Sequence, residues 1–309
     1  ADIKAKYQKA QPDWFVPIAV IGQDRLQGNS AQLGRYTAIV AQQTAARTYA
    51  DGNVAPHVVG YVSGITAQAL PYYQNLGFSG DELVGATGVE AGMDDELGGR
   101  PGGKLEFRPT RGTARVLAQR LKVEGKDVTL TIQSNLQTQV QAIIGKTRGA
   151  IVVLNPRDGS ILAMASGPDY SLKEITQNVG AAGKLLNDPN KPLVNRAVQA
   201  YPPGSVFKPV TFVAGLAEGL SQVDEAFFDP GYWDGLGANY RQTCWLTGGH
   251  GNLNLSEGLS ASCNPVFYTL GKRLNEKDPF ALAHYAKQFG YGARVGLPIG
   301  GESAGIVPD

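Results

Sequence analysis

Tyr201-Pro-Pro-Gly-Ser-Val-Phe-Lys-Pro209, followed by an apolar run over residues 210–220, is the stretch on which the reading of this chain turns. Pro202, Pro203 and Gly204 force a turn ahead of a helix. Pro209 has no N–H and is cheapest in a first helical turn, where backbone donors are unpaired anyway. The helix is therefore expected to start at or just after Ser205, where the helix dipole favours developing negative charge. Lys208, three residues on, falls on the same face. A serine hydroxyl is a poor nucleophile until its proton is removed. A lysine can remove it only if desolvation or neighbouring positive charge lowers its pKa, and Val206 and Phe207 offer the apolar neighbours of a partly dry site. Alone the pattern is weak. Ser205 as a plain N-cap and Lys208 as an exposed first-turn residue is the plainer reading, since an S-x-x-K string arises about once by chance in a chain this long.

A second constellation changes the balance. Leu255, Leu259, Val266, Phe267, Leu270 and Leu274 mark an apolar helical face interrupted by Ser262-Cys-Asn264. A serine and an asparagine two residues apart, at a break between helical segments, can face one cleft, the first relaying a proton and the second orienting a lysine or a substrate amide. Taken in isolation, either residue could instead be an N-cap for a helix starting near Pro265.

Outward from these motifs, residues 128–132 alternate as a strand. Ser134 is the expected N-cap of an amphipathic helix with Leu136, Val140, Ile143 and Ile144 on one face. The runs 150–154 and 161–165, joined by Asn155-Pro-Arg-Asp-Gly159, form a hairpin, and residues 167–190 read as a polar, exposed excursion. Earlier in the chain a strand over 14–21 and a helix near 67–76 are expected. The glycines between Gly85 and Gly103 mark a loop or short capped helix, not a phosphate-binding loop, since no strand feeds them and no GKS or GKT follows. The chain has 309 residues, 42% hydrophobic and 18% charged, with net charge +1. That is enough for about two domains, with the boundary expected near residue 126. Charge is even on both sides of Asp127, which argues against nucleic-acid or membrane-surface binding driven by bulk charge. No apolar span approaches the ~20 residues of a membrane helix. The opening Ala1, with no signal peptide, reads as a processed product or an excised piece. His57, His250, His284, Cys244 and Cys263 match no zinc spacing, so no metal and no cofactor is expected. The two cysteines could pair in an oxidising compartment or remain buried free thiols.

At these residues the sequence resembles the class B, monofunctional penicillin-binding proteins. Leu130-Thr-Ile-Gln-Ser-Asn-Leu-Gln137 is similar to the family's opening strand–helix segment, with Gln133 where aspartate is usual. Gly149-Ala-Ile-Val-Val-Leu-Asn-Pro-Arg-Asp-Gly-Ser-Ile-Leu-Ala-Met-Ala-Ser166 resembles its first hairpin, and the stretch from Asn195 to Pro209 resembles the entry to its nucleophile helix. His250-Gly251, Ser262-Cys-Asn264 and Gly300-Gly-Glu-Ser-Ala-Gly-Ile-Val-Pro308 also fit. Upstream, Arg47-Thr-Tyr-Ala-Asp-Gly52, Gly60-Tyr-Val-Ser-Gly64, Gly85-Ala-Thr-Gly-Val-Glu90 and Leu97-Gly-Gly-Arg-Pro-Gly102 look like the family's non-catalytic pedestal, with Met93 replacing a common tyrosine.

The resemblance implies a multi-domain α+β chain. A mixed pedestal or dimerisation-like domain over 1–126 would precede a penicillin-binding, β-lactamase-like transpeptidase domain over 127–309, an antiparallel sheet flanked by helices. It implies a peptidoglycan D,D-transpeptidase acylated by the D-Ala-D-Ala end of a stem peptide and inhibited by β-lactams. Ser205 would be the nucleophile, Lys208 the base, Ser262 the proton relay, and Asn264 the residue positioning Lys208 and the substrate amide. Other cell-wall synthesis proteins are implied partners. The implied location is the extracytoplasmic face of a bacterial membrane, reached through an anchor outside this chain. The family's Lys-Thr-Gly or Lys-Ser-Gly strand is not found, since Lys146-Thr147 is followed by Arg148 and lies far upstream. The chain is therefore expected to end inside its catalytic domain and to be inactive alone. A β-lactamase is disfavoured because no Glu-x-x-Leu-Asn element is present. A penicillin-binding sensor or a silent scaffold is the alternative.

Overall fold

The computed structural model describes residues 21–41, 47–49, 53–109, 113–177 and 181–308. All but the last residue of the strand expected over 14–21 lies outside them. Chain contacts divide the protein into two compact units, residues 1–194 and 195–309.

The N-terminal unit contains helices α1 (Gln23–Leu33), α2 (Pro56–Val59), α3 (Leu70–Leu76), α4 (Gly88–Gly92) and α5 (Asp94–Leu97), with antiparallel pairs β1 (Val62–Gly64) with β2 (Leu83–Gly85) and β3 (Gly103–Phe107) with β4 (Arg115–Arg120). Helix α3 answers the expected helix near 67–76, and the glycine-rich segment carries two short helices, α4 and α5, neither of which has a side-chain cap bond. Helix α6 (Ser134–Ile144) then packs on the hairpin β5 (Gly149–Leu154) and β6 (Ile161–Gly167). Strand β5 alternates, with Ile151 and Val153 turned to the core and Val152 and Leu154 exposed, as period-2 geometry requires. Val140, Ile144, Ala163 and Ala165 are buried at the contact, with Leu136, Ile151 and Val153 against them.

Three expectations are corrected here. Ile143 is exposed, and the third buried residue of α6, beside Val140 and Ile144, is Gln137, fully buried. Its side-chain amide accepts from Met164 N (2.7 Å) and donates to Met164 O (2.9 Å), so it pairs with β6 as a neighbouring strand would. Residues 128–132 form no strand. Beside them only Gln133 N–H donates to Leu162 O and Thr131 Oγ1 to Ile161 O, too few bonds for a ladder. The excursion 167–190 is only partly exposed. It carries α7 (Leu172–Gln177) and α8 (Ala181–Leu186), and buries Tyr170 and Leu172, with Tyr170 O–H donating to Pro56 O at 2.9 Å.

The C-terminal unit packs α9 (Lys208–Ala217), α10 (Leu255–Ser260), α11 (Asn264–Lys277) and α12 (Ala281–Gln288). Beside them lie strand β7 (Ala226–Asp229), the short pair β8 (Tyr232–Trp233) and β9 (Gln242–Thr243), and β10 (Gly251–Asn254), which pairs antiparallel with β7. The apolar face expected around Ser262 is the core. Leu255, Val266, Phe267, Leu270 and Leu274 are buried with Ala214, Leu253 and Cys263, and Leu259 packs against them. Helix α10 opens on a capping box in which Asn254 Oδ1 accepts from Glu257 N and Glu257 Oε2 accepts from Asn254 N. Helices α9 and α11 cross at Gly215, where a Cβ would lie 2.5 Å from Leu270 Cδ1. Leu270 is fully buried and has no room to withdraw. That crossing fixes how far the start of α9 stands from the start of α11.

Ser134 is not the cap of α6. Gln133 holds that position and makes no side-chain cap bond. Its backbone is extended (φ −93°, ψ 111°), as a capping residue requires. Gln133→Asp should therefore supply the missing acceptor and raise unfolding stability by about 1 kcal/mol in denaturant titration.

Candidate functional site

Ser205 lies in a 3-10 turn, Gly204–Phe207, that leads into α9. The reason is local. In an α-helix the Ser205 carbonyl would take the N–H of residue 209, but Pro209 has none. That carbonyl instead accepts from Lys208 N, one residue earlier. A 3-10 turn has three residues per turn, so positions i and i+3 eclipse, and the Ser205 and Lys208 side chains stand side by side. Gly204, at φ +55°, turns the chain into this segment. Ser205 makes no side-chain capping bond, and the N-cap positions fall on Pro203 and Phe207. Its hydroxyl is exposed and lies 3.2 Å from Lys208 Nζ.

The second motif arrives from the break between α10 and α11. Ser262 is left-handed, at φ +52°, which costs a non-glycine residue about 1–2 kcal/mol. Cys263 occupies the N-cap position of α11 without a side-chain cap bond, and Asn264 is its first residue. The plain capping reading of Ser262 and Asn264 therefore fails. Lys208 Nζ instead donates to Ser262 O (2.8 Å), Ser262 Oγ (2.9 Å) and Asn264 Oδ1 (2.7 Å). All four residues singled out from the sequence meet at one nitrogen.

Two of those neighbours, the Ser262 carbonyl and Asn264 Oδ1, can only accept. They occupy two N–H groups whether the amine is charged or neutral. The remaining tetrahedral position faces the hydroxyls of Ser205 and Ser262, and it holds a proton in the ammonium and a lone pair in the amine. Lys208 is half-buried, with its nitrogen 5.7 Å from the centre of the Phe267 ring. None of the ion pairs among the described residues includes it. Burial lowers its pKa below the ordinary lysine value.

Behind the motif lies a polar cluster that sequence spacing missed. Asp229, fully buried at the end of β7, accepts from Gly231 N (2.8 Å), His250 N (3.0 Å), His250 Nδ1 (2.8 Å) and Cys263 Sγ (3.3 Å). Burial alone would push its carboxyl up. The hydrogen bonds from Cys244, His250 and Gly231 overcome this and hold it well below the usual range. Burial, with the Asp229 charge beside it, pushes the Cys263 thiol up to about 12, and raises Cys244 as well. Both cysteines are buried free thiols, and His250 Nε2 has no hydrogen-bond partner among the described residues. One donor atom each from Asp229, Cys244, His250 and Cys263 lies within 4.8 Å of the others. Two sulfurs, an imidazole and a carboxylate are donors that a tetrahedral zinc ion takes, so these four residues could hold one. The spacing of these residues in the sequence matches no zinc motif, and their juxtaposition is visible only in the fold. Asp229 carried no motif, and only the fold brings β7, the loop before β10 and the turn before α11 together.

Residues 149–309 match the penicillin-binding protein transpeptidase domain, and residues 1–130 match the penicillin-binding protein dimerisation domain. The peptidoglycan D,D-transpeptidase MrdA of Escherichia coli is 33% identical over 272 residues, covering 85% of this chain and 42% of the relative. That of Acinetobacter baumannii is 32% identical, covering 85% and 39%. The chain thus spans about two-fifths of the length of these relatives. A crystal structure of Pseudomonas aeruginosa PBP2 in complex with WCK 5153 superposes with a TM-score of 0.72 at 30% identity, covering 87% of this chain and 56% of that one. A complex between PBP2 and MreC from Helicobacter pylori superposes with a TM-score of 0.79 at 27% identity, covering 94% and 54%.

Ser262 should separate stability from chemistry. Ser262→Gly relieves the left-handed strain and should unfold at a higher denaturant concentration than Ser262→Ala, by about 1 kcal/mol. Both lose the hydroxyl beside Lys208. Denaturant titration of the two variants checks the order.

Proposed function

The chain belongs to the class B penicillin-binding proteins, and from that premise we propose that it serves a peptidoglycan D,D-transpeptidase through a serine acyl-enzyme. The observation that carries the reading is the Lys208 nitrogen, whose one uncommitted position faces Ser205 and Ser262. Neutral Lys208 takes the Ser205 proton as Oγ attacks the carbonyl carbon of the penultimate D-Ala of a stem peptide. The Ser205 N–H donates to the oxyanion. The proton then passes through the Ser262 hydroxyl to the departing amine of the terminal D-Ala, which leaves the ester on Ser205. An acceptor amine enters by the reverse route, giving its proton back through Ser262 and Lys208 and releasing the cross-linked peptide. Asn264 holds the lysine by its carbonyl and offers its amide N–H groups to the substrate. A β-lactam enters at the same point, since attack opens its ring and leaves the acyl group on Ser205.

Residues 1–126 serve as the pedestal and residues 127–309 as the transpeptidase part in this reading. The family's cell-wall enzymes act outside the cytoplasmic membrane, and we place this protein there, carried by an anchor. Among the described residues no helix is long and apolar enough to cross a membrane. The complex of the Helicobacter pylori relative with MreC supports a role within a multi-protein cell-wall assembly.

Intact mass of the full-length protein after exposure to a labelled penicillin tests the reading. One adduct per chain is expected, absent in Ser205→Ala and formed about 10²–10⁴-fold more slowly in Lys208→Ala. No adduct on folded, full-length protein would sink it. Release of D-Ala from a stem peptide separates a transpeptidase from a penicillin-binding sensor. The pH dependence has a definite sign. Only neutral Lys208 accepts the Ser205 proton, so the acylation rate should rise with pH along an acidic limb. The midpoint of that limb should lie below the ordinary lysine value of about 10.4. A rate flat across that limb excludes Lys208 as base.

A further inference from the structure

Cys263 sits between the two residues that hold Lys208, and its side chain turns the other way, onto Asp229. Its S–H donates to Asp229 Oδ2 at 3.3 Å. A second thiol, Cys244, reaches the same place from the loop between β9 and β10. Its Sγ lies 3.4 Å from His250 Nδ1, which bonds the same carboxylate oxygen. Both thiols are free and buried, and their sulfurs lie within 4.8 Å of each other. Two free sulfurs at that separation need only a small movement to bond. Cys244 is 8% exposed and Cys263 is fully buried, so Cys244 is the sulfur that an oxidant meets first.

We propose that Cys244 and Cys263 are a redox-modification site, joined by a reversible disulfide that withdraws Ser262 and Asn264 from Lys208. The effect rests on the acyl-transfer reading, and the oxidant on the placement outside the cytoplasmic membrane, where disulfides form and persist. Cys244 Sγ, as thiolate, attacks one sulfur of a disulfide-bearing oxidant and expels its other half. Cys263 Sγ then attacks Cys244 Sγ in that mixed disulfide and expels the remaining half. The protons and the electron pair of the cysteines pass to the oxidant, which departs as two thiols. Cys263 then has no S–H to give, so the Ser262 turn loses its bond to Asp229. Ser262 is left-handed, a conformation that persists only while its surroundings impose it. Freed behind and drawn toward Cys244, the turn carries Ser262 Oγ and Asn264 Oδ1 off the lysine nitrogen, to which they are held at 2.9 and 2.7 Å. Asp229 keeps the backbone N–H groups of Gly231 and His250 and the His250 ring, so the unit stays folded. Reduction restores the turn. Because both sulfurs are buried, exchange is slow and each state is long-lived.

The test uses full-length protein, stripped of metal by a chelator and equilibrated in buffers of graded oxidised to reduced glutathione. Peptide mapping without reductant should find Cys244 linked to Cys263, and dithiothreitol should reverse the link. No such link at any ratio, or glutathione adducts alone, overturns the proposal. With a labelled penicillin the linked form should acylate about 10²-fold more slowly, the cost of a misplacement of about 1 Å in an active site, and dithiothreitol should restore the rate. An unchanged rate in the linked form overturns it as well. Cys244→Ser cannot form the link, so its rates before and after oxidant should agree within two-fold. A loss there equal to that of the wild type assigns the effect to oxidation elsewhere, and the proposal falls. Hydrogen exchange over residues 261–266 reads the turn without any ligand, and the linked form should lose protection there while keeping a cooperative thermal melt. A linked form that has lost that melt is unfolded and not switched, which also overturns the proposal. If the link forms and protection is lost, but reduced protein takes no penicillin, the redox pair stands and the acyl-transfer reading fails.

Discussion

A half-buried lysine amine with no carboxylate beside it among the described residues is the constraint that orders the C-terminal unit. A carboxylate would satisfy the burial of Lys208 most simply, but it would favour the ammonium and remove the lone pair. The protein uses two uncharged acceptors instead, the Ser262 carbonyl and Asn264 Oδ1, which can bond the nitrogen in either state and favour the ammonium far less than a carboxylate would. Such acceptors hold less strongly than a charge does, so their positions must be imposed from elsewhere. The α9–α11 crossing and the left-handed bend at Ser262 impose them.

The tripeptide Ser262-Cys-Asn264 divides its side chains between two environments. Ser262 and Asn264 face Lys208, while Cys263 turns the other way onto Asp229. The turn is therefore held on both sides, by a lysine in front and a buried carboxylate behind. Its strain is sustained because each side over-determines it. Asp229 in turn collects its bonds from two further segments, so the position of the front face depends on residues that never touch it.

What was legible in the sequence follows from how local the cause is. The Ser205–Lys208 pairing depends on a three-residue spacing and on the missing N–H of Pro209, both visible in a nine-residue window. The hairpin β5–β6 depends on alternation and turn residues, and it formed as written. The apolar face around Ser262 gave the core because its spacing is helical on both sides of the break. The failures are of another kind. Gln137 is buried and Ile143 exposed because a side-chain amide can pair with a strand edge, which no hydropathy pattern encodes. Ser134 has the right chemistry for a cap but stands one position too late. The cluster of Asp229, Cys244, His250 and Cys263 draws on residues up to 34 apart, as with the Cys263–Asp229 bond, and only the return of β10 to β7 joins them.

The close crossing at Gly215 and Leu270 also bears on how this sequence can change over generations. Any single replacement at 215 adds a Cβ where Leu270 already stands, and any smaller residue at 270 leaves a void above the glycine. Each position is safe only given the other, so their mutational effects are non-additive, and a small residue at 270 would make a larger one at 215 acceptable. Divergence at this crossing has to proceed by paired exchange, while the helix surfaces around it drift one residue at a time.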